Sequence, residues 1–151
     1  MQFSIHSIPA THRNEHPDYE YYRKKVVPFG AAKNTVVSIY EIPPLKSAYP
    51  YHYHEKNEET FYILEGEGLL RTPSGETIVK AGDFLFFPTG PDGAHKLTNL
   101  SSTTALVYID FDAVHEIDIT IYPDSDKIGI WGKGINRIYL QKDDVGYYTG
   151  E

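Results

Sequence analysis

Apolar and polar residues alternate over short stretches along most of the chain, as in the run TVVSIYEI at residues 35–42. Successive side chains of a β-strand point to opposite faces of a sheet, so a period of two predicts strands rather than helices. Gly and Pro residues are scattered between these stretches and end each one after a few positions. The pattern predicts strands at residues 3–8, 35–42, 49–54, 60–64, 68–72, 77–79, 83–87, 95–99, 104–111, 118–122, 127–131 and 137–141.

The residues between the predicted strands indicate the fold class. The segment PSGE at residues 73–76 predicts a hairpin turn in which Gly75 supplies a positive φ angle. Helical turns are predicted only at residues 18–25. Thirteen Tyr and seven Phe residues also favour a pleated, half-buried surface. Many short strands between Gly and Pro turns predict an all-β sandwich, barrel or jelly roll.

The chain length suits one domain, since 151 residues can bury a hydrophobic core of their own. Residues 10–25 are polar and rich in Tyr, His and charged side chains. Three interpretations of this segment stay open: an arm over the barrel, part of a dimer contact, or a loosely ordered terminus.

Charge and composition exclude several classes of function. The chain has 14 Lys and Arg against 21 Asp and Glu, a net charge of −7, which disfavours binding to a phosphate backbone. There is no cysteine, so disulfides, thiolate zinc sites and cysteine nucleophiles are excluded. No apolar run has the roughly 18 residues that span a bilayer, and the N-terminus lacks the features of a signal peptide. We therefore expect a cytoplasmic protein without a nucleic-acid or membrane partner.

Two histidines mark the candidate chemistry of the chain. His52 and His54 are two residues apart, so on a strand both imidazoles point to the same face. Glu59 opens the next apolar run, and His95 opens a later one. Three imidazoles and a carboxylate from neighbouring strands could bind a divalent metal and leave positions for water or substrate. The neighbouring Glu58 is expected to be solvated.

The spacing of these residues resembles the two motifs of the cupin superfamily, specifically of small single-domain cupins. His52-x-His54-x4-Glu59-x6-Gly66 is similar to the first motif, and Gly82-x5-Pro88-x-Gly90 followed by His95-x3-Asn99 is similar to the second. The 15 residues between Gly66 and Gly82 match the spacer of small one-domain cupins. The resemblance implies a double-stranded β-helix, or jelly-roll, barrel with His52, His54, Glu59 and His95 as metal ligands.

The resemblance also implies how the chain is divided. It predicts one cupin domain over residues 1–151, with a barrel core at about 34–112, an N-terminal arm at 1–33 and a C-terminal extension at 113–151. Two positions depart from the motifs. Lys46 replaces a usual Gly, and four residues rather than two, 91–94, separate Gly90 from His95. The second departure lengthens the loop that delivers His95.

The activity implied by the resemblance is that of an enzyme that uses one divalent metal as a Lewis acid or to activate water. The ligand types permit Mn, Fe, Ni, Co or Zn. Residues 122–127 and 144–151 look like the tails of small bacterial cupins, some of which are described as sugar-phosphate isomerases. We therefore place a sugar or sugar-phosphate isomerase first. An Fe-dependent dioxygenase and a non-catalytic module that binds or senses a small ligand are the alternatives. We also expect a homodimer, because barrels with long arms often exchange strands.

Further residues are candidates for the lining of a pocket. Strand parity places Phe61 and Ile63 on the face of Glu59, where they line the pocket or fill the core. Arg71 and Lys96 are candidate clamps for an anionic substrate, or else charges at a sheet edge. Tyr108 and Asp110 are candidate acid/base groups, with a packed aromatic wall as the alternative for Tyr108.

Overall fold

β-Strands make up most of the chain, and the predicted all-β fold class is confirmed. The computed structural model describes residue 2 and residues 4–151. In this part of the chain the strands are β1 (Ala10–His16), β2 (Tyr19–Val27), β3 (Thr35–Ile42), β4 (Tyr53–His54), β5 (Glu59–Glu65), β6 (Glu67–Thr72), β7 (Gly75–Lys80), β8 (Phe84–Phe87), β9 (Lys96–Asn99), β10 (Leu106–Ala113), β11 (Ile117–Tyr122), β12 (Lys127–Gly132) and β13 (Ile135–Leu140). Short 3₁₀ turns lie at Pro91–Gly93, Pro123–Ser125 and Gln141–Asp143. No helix among the described residues has the length and apolarity needed to cross a membrane.

The strands pair in an antiparallel manner and form three sheets within the described residues. The largest has the order β1-β2-β3-β10-β5-β8, the second β13-β12-β11-β4 and the smallest β7-β6-β9. Isolated bridges between Ser47 and Thr98 and between His52 and His95 connect segments outside the regular ladders. The bridge between the two histidines brings the loop before β4 next to the loop before β9.

The hydrophobic core contains the inward-facing side chains of β3, β5 and β10. The side chains of Ile42, Ile63 and Leu106 have no exposed surface, and Tyr108 is 1% exposed. Burying each large apolar side chain stabilises the fold by about 1.5–3 kcal/mol relative to leaving it in water. The same alternation along β5 turns Glu59, Phe61 and Ile63 inward, so a carboxylate at the start of a core strand reaches the interior.

Most of the predicted strands agree with the structure. The strand predicted at 35–42 has the bounds of β3. Each strand predicted after it begins and ends within two residues of an observed strand, except the one predicted at 49–54. There only Tyr53–His54 forms a ladder, because residues 49–52 instead approach the loop at His95. The predicted turn at 73–76 joins β6 to β7, and Gly75 has a φ angle of 116° as expected.

The N-terminal predictions were less accurate. The predicted helical turns at 18–25 are wrong, because this segment belongs to β2, which pairs with β1 on one side and β3 on the other. All of β1 is exposed, so it carries no apolar alternation to read. The predicted strand at 3–8 is wrong for residues 4–8, where the Ser7 N–H donates to the Ser4 carbonyl and closes a turn. Residue 3 lies outside the described residues.

Candidate metal centre

The four predicted metal ligands come together inside the barrel. His52 directly precedes β4 and His54 is its last residue. Glu59 begins β5, and His95 directly precedes β9. The N–H of His52 donates to the carbonyl of His95 at 3.1 Å, and the N–H of His95 donates to the carbonyl of His52 at 2.9 Å. This reciprocal pair fixes the separation of the two histidine backbones.

The side chains converge on one oxygen atom of Glu59. Its Oε2 lies 3.9 Å from His52 Nε2, 3.6 Å from His54 Nε2 and 3.3 Å from His95 Nε2. His52 is 7% exposed, Glu59 8% and His95 2%. Donor atoms of His52, His54 and Glu59 all lie within 4.8 Å of one another, which is close enough for one ion to contact all three.

Hydrogen bonds fix the orientation and tautomer of each imidazole. His52 Nδ1 lies 2.8 Å from the Pro50 carbonyl, and His95 Nδ1 lies 2.9 Å from the Gly93 carbonyl. A carbonyl oxygen only accepts, so each Nδ1 carries the proton and a neutral ring has its lone pair on Nε2, facing Glu59. Metal-binding histidines are usually held in this way.

The donor set fits a divalent metal ion. His95 Nε2 is buried and has no hydrogen-bond partner within the described part of the chain. An unpartnered buried nitrogen is costly, whereas a metal ion would accept its lone pair. Imidazole nitrogens with a carboxylate oxygen suit Zn, Fe, Mn, Co and Ni.

The loop before His95 accommodates its two extra residues in a compact turn. Residues Pro91–Gly93 form a 3₁₀ turn, and the N–H of Gly93 donates to the Gly90 carbonyl at 3.0 Å. A Cβ atom at Gly93 would lie 1.7 Å from the Pro88 carbonyl oxygen, so no other residue fits there. The longer loop therefore still brings His95 to the centre.

Burial and neighbouring charges give the four ligands different proton affinities. Burial, followed by the effect of nearby His54, lowers the pKa of His52 to about 3. Burial likewise lowers the pKa of His95 well below its usual value. Burial acts in the same direction on His54, but Glu59 and Asp118 outweigh it and raise its pKa to about 9. Burial raises the pKa of Glu59 to about 8 against the opposing effect of His54.

Asp118 is a site residue that the sequence analysis did not identify. It lies on β11, which pairs with β4, and its Oδ2 accepts the Nδ1–H of His54 at 2.5 Å. Its Oδ1 accepts the backbone N–H groups of Lys56 at 2.9 Å and Asn57 at 3.2 Å. Burial raises the pKa of Asp118, but these hydrogen bonds outweigh it, and the net pKa is lowered. Asp118 therefore holds His54 in the tautomer that presents Nε2 to Glu59.

A cavity of about 350 Å³ adjoins the metal centre. His52, His54 and Glu59 line one part of it, and Phe61 is the one predicted pocket residue on its wall. The other walls come from β1, β2, β3 and β10–β12, and their polar residues include Arg13, Arg23, Asp110 and Asp112. The pairing of β10 with β5 brings the two aspartates of β10 next to Glu59.

The remaining predicted pocket residues lie elsewhere. Ile63 fills the core with no exposed surface. Arg71 forms a bidentate, exposed ion pair with Asp124 and lies over the ring of Tyr51 at 4.0 Å, so it is a charge on the outside of the sheet. Tyr108 stacks on Tyr40 with 5.1 Å between ring centres, as expected for a packed wall.

Three other predictions from the sequence can be located. Glu58 is exposed, as expected. Lys96 lies 5.2 Å from the ring of Tyr19 and does not line the cavity. Asp110 does line the cavity, and so do Asp112 and Arg23, which the sequence analysis did not identify.

The comparisons with known proteins agree with this fold. Residues 38–112 match the family described as Cupin domain. The chain is 24% identical to a protein of Acidithiobacillus ferrooxidans proposed to be a sugar phosphate isomerase, with a TM-score of 0.81 over 94% of this chain and 91% of that one. A sugar phosphate isomerase of the cupin superfamily from Silicibacter pomeroyi is 16% identical, with a TM-score of 0.85 over 98% of each chain. At these identities the likeness shows the fold alone.

One relative is more similar over a short segment. The chain is 41% identical to the quercetin 2,3-dioxygenase of Bacillus subtilis over 46 residues, which are 30% of this chain and 14% of that protein. The chain spans less than half of the length of the curated relatives it matches, 47% of one and 14% of the dioxygenase.

The fold and the site together define the class of this protein. The fold is the double-stranded β-helix barrel of the cupins, as the sequence motifs predicted, and a site where His52, His54 and Glu59 could bind a metal ion lies inside it. The chain belongs to the cupin superfamily.

Proposed function

We propose that this cupin binds one divalent metal ion through His52, His54, Glu59 and His95 and acts as an enzyme on a small oxygenated substrate. The observation that carries the proposal is the approach of three imidazole Nε2 atoms to one Glu59 oxygen, at 3.3–3.9 Å. An ion held there would supply Lewis-acid polarisation of a substrate carbonyl or hydroxyl group. The adjoining cavity is lined by three of these residues, His52, His54 and Glu59, and gives a substrate access to them.

The surrounding residues have supporting roles in this proposal. Asp118 and the carbonyls of Pro50 and Gly93 hold the Nδ1–H of each imidazole, so Nε2 stays available. The ring of Phe87 stacks on His95 at 3.6 Å between centres and excludes water from its far side. A drier site strengthens electrostatic interactions with a polar substrate.

The reaction class that we favour is isomerisation of a sugar or a sugar phosphate. Support comes from the two solved structures of sugar phosphate isomerase type, which share the fold over nearly the whole chain. An Fe-dependent dioxygenase is the second candidate, supported by the segment similar to quercetin 2,3-dioxygenase. A non-catalytic module that binds a small ligand would use the same cavity without turnover.

The first experiment is elemental analysis of protein purified without a metal column or chelator, followed by assays of the loaded protein. We expect one metal ion per chain. Aldose–ketose interconversion, followed by NMR, would support the isomerase, whereas Fe with oxygen consumption would support the dioxygenase. A metal-loaded protein inactive in both assays would leave the binding module as the function.

A matched pair of variants tests the ligand set. Glu59→Gln removes a buried carboxylate, whereas Glu58→Gln alters its exposed neighbour. We expect Glu59→Gln to lose the bound metal and Glu58→Gln to keep one ion per chain. Full metal content in Glu59→Gln, or in the corresponding His54→Ala variant, would show that the ligand set is wrong.

We also propose that the chain forms a homodimer. Phe84 and Phe86 are 71% and 61% exposed on β8, an edge strand of the six-stranded sheet. An unpaired edge with exposed aromatic side chains favours association with another copy. Light scattering after size exclusion should give twice 17.2 kDa, and a mass of 17.2 kDa would refute the dimer.

The division of the chain and its location are further proposals. We propose one domain over residues 1–151, with the core at 34–112, the arm at 1–33 and the extension at 113–151. The pairing of β11 with β4 supports a single unit, since it joins the extension to the core. A single cooperative unfolding transition is expected, and two transitions would contradict it. We propose a cytoplasmic location, in keeping with the absence of cysteine.

A further inference from the structure

Three buried polar atoms of the cavity have no hydrogen-bond partner within the described residues. They are Arg23 Nε, Asp110 Oδ1 and Asp112 Oδ1; the other buried polar atom without a partner among these residues, His95 Nε2, faces Glu59 outside the cavity lining. Asp110 is 5% exposed. Buried polar atoms are almost always hydrogen-bonded, so residues that carry such atoms around one cavity are candidates to bond a polar group held there.

The contacts of Arg23 leave its buried Nε–H without a hydrogen-bond or ion-pair partner among the described residues. Its Nη1–H group donates to the hydroxyl of Tyr40 at 3.1 Å, and that hydroxyl lies 2.9 Å from the hydroxyl of Tyr49. No carboxylate of the described residues lies within 4.0 Å of the Arg23 guanidinium nitrogens. A tyrosine thus positions the guanidinium, and its buried Nε–H is the donor left without an acceptor among the described residues.

Asp110 and Asp112 supply the complementary acceptors. They lie two residues apart on β10, and carboxylate oxygens of Asp110, Asp112 and Glu59 lie within 4.8 Å of one another. A hydroxyl group both donates and accepts hydrogen bonds. Neighbouring hydroxyl groups of one molecule can therefore donate to the two aspartates and accept from Arg23.

The charge of the cavity favours the binding of neutral ligands over anionic ones. Its lining contains four carboxyl groups, Glu59, Asp110, Asp112 and Asp118, against the two arginines, Arg13 and Arg23. When these four carboxyl groups are ionised, they balance the two arginines and a bound divalent ion, so the cavity has no net positive charge that would attract a phosphate dianion. Tyr21, Tyr122 and Trp131 also line the cavity and offer ring surfaces to the C–H groups of a ligand. The volume of about 350 Å³ is in the range of small-molecule sites.

We infer that the cavity binds a neutral, polyhydroxylated molecule, a carbohydrate without a phosphate group, through Asp110, Asp112 and Arg23. This inference rests on the proposed function, because the carbohydrate would lie beside the proposed metal ligands. It narrows the substrate class from sugars and sugar phosphates to sugars alone.

Isothermal titration of the metal-loaded protein tests the inference. The probes are D-glucose, D-mannose, D-fructose and D-xylose, set against D-glucose 6-phosphate, D-mannose 6-phosphate and inorganic phosphate. We expect at least one neutral sugar to bind at least about tenfold more tightly than every phosphate-containing probe. Tighter binding of a phosphate ester, or no binding of any neutral sugar, would overturn the inference.

Variants assign the binding to the three residues. Asp110→Asn and Arg23→Lys should each weaken sugar binding at least about tenfold, and Glu58→Gln, an exposed change outside the cavity, should leave it unchanged. Unchanged binding in both Asp110→Asn and Arg23→Lys would overturn the assignment. Circular dichroism and thermal melting of each variant show whether it is folded, and the conservative Arg23→Lys variant keeps the charge.

Metal content, measured on the same samples, separates the two proposals. One ion per chain with no sugar bound would leave the metal site standing and overturn the carbohydrate inference. A protein that binds sugar but takes up no metal ion, even when metal is added, would overturn the proposed metal centre and leave the carbohydrate inference standing. Two ions per chain, with one lost in Asp110→Asn, would show that the carboxylates bind a cation and would overturn the inference.

Discussion

Replacing Asp118 by Asn tests whether the hydrogen bond to His54 controls metal binding. Asn keeps an oxygen that can accept the backbone N–H groups of Lys56 and Asn57, which Asp118 Oδ1 accepts at 2.9 and 3.2 Å. Its amide nitrogen then faces His54 Nδ1, and two N–H donors cannot share that contact. The His54 proton is driven to Nε2, which blocks the lone pair that faces Glu59.

The expected effect follows from the contacts of this one carboxylate. Loss of a residue that orients a metal-binding histidine typically lowers metal affinity 10–100-fold. That range corresponds to about 1.4–2.7 kcal/mol of binding free energy. The short distance of 2.5 Å and the burial of Asp118, which is 2% exposed, favour the upper end of the range.

The assay is a competition for Zn²⁺ or Co²⁺ between the protein and a chromophoric chelator. Asp124→Asn is the control, because Asp124 is an exposed carboxylate that pairs with Arg71 and lies outside the cavity. We expect Asp124→Asn to bind metal as the original chain does. A dissociation constant for Asp118→Asn within about threefold of that of the original chain, with an intact fold, would refute the tautomer argument.

Three further predictions concern stability and the loop at His95. Folding raises the pKa of His54 to about 9 and that of Glu59 to about 8, so the protonated form of each stabilises the folded state. For His54 this contribution is complete below about pH 6.5 and is lost as the pH rises through 9. For Glu59 it is complete below about pH 4.5 and is lost as the pH rises through 8. Denaturation of chelator-treated protein should therefore show lower stability at pH 9 than at pH 6, and higher stability there would contradict the two shifts. Gly93→Ala places a Cβ atom against the Pro88 carbonyl oxygen and so displaces the loop that positions His95. Elemental analysis should therefore show less metal per chain, and a full metal content would show that the loop adjusts. Arg71→Ala breaks only an exposed ion pair, so the free energy of unfolding should fall by less than about 1 kcal/mol with metal content unchanged, and a loss of metal would return Arg71 to the site.

Sequence patterns predicted the fold well where each strand has one buried face. The alternation in β3 and β5 reflects burial of every second side chain, so the strand positions could be read from it. The exposed strand β1 has no buried face and its partner β2 no regular alternation, so no period of two marks either strand. Edge strands of this kind depend on pairing with a neighbour, which no local pattern records.

The candidate site divides in the same way. The spacing of His52, His54 and Glu59 is local, so strand parity and motif resemblance could group them. Asp118 follows His54 by 64 positions and reaches it only because β11 pairs with β4. Arg23 likewise reaches the cavity through the pairing of β2 with β3. Residues delivered by such long-range pairing become visible only in the folded structure.

The position of Asp118 has a consequence for anyone who transplants this site. The segment that matches the cupin family ends at residue 112, and all four donor side chains lie inside it. A chimera built from that segment alone would carry every donor atom yet leave His54 Nδ1 without its carboxylate. We therefore expect a graft of the core together with β11 to bind metal more tightly than a graft of the core alone.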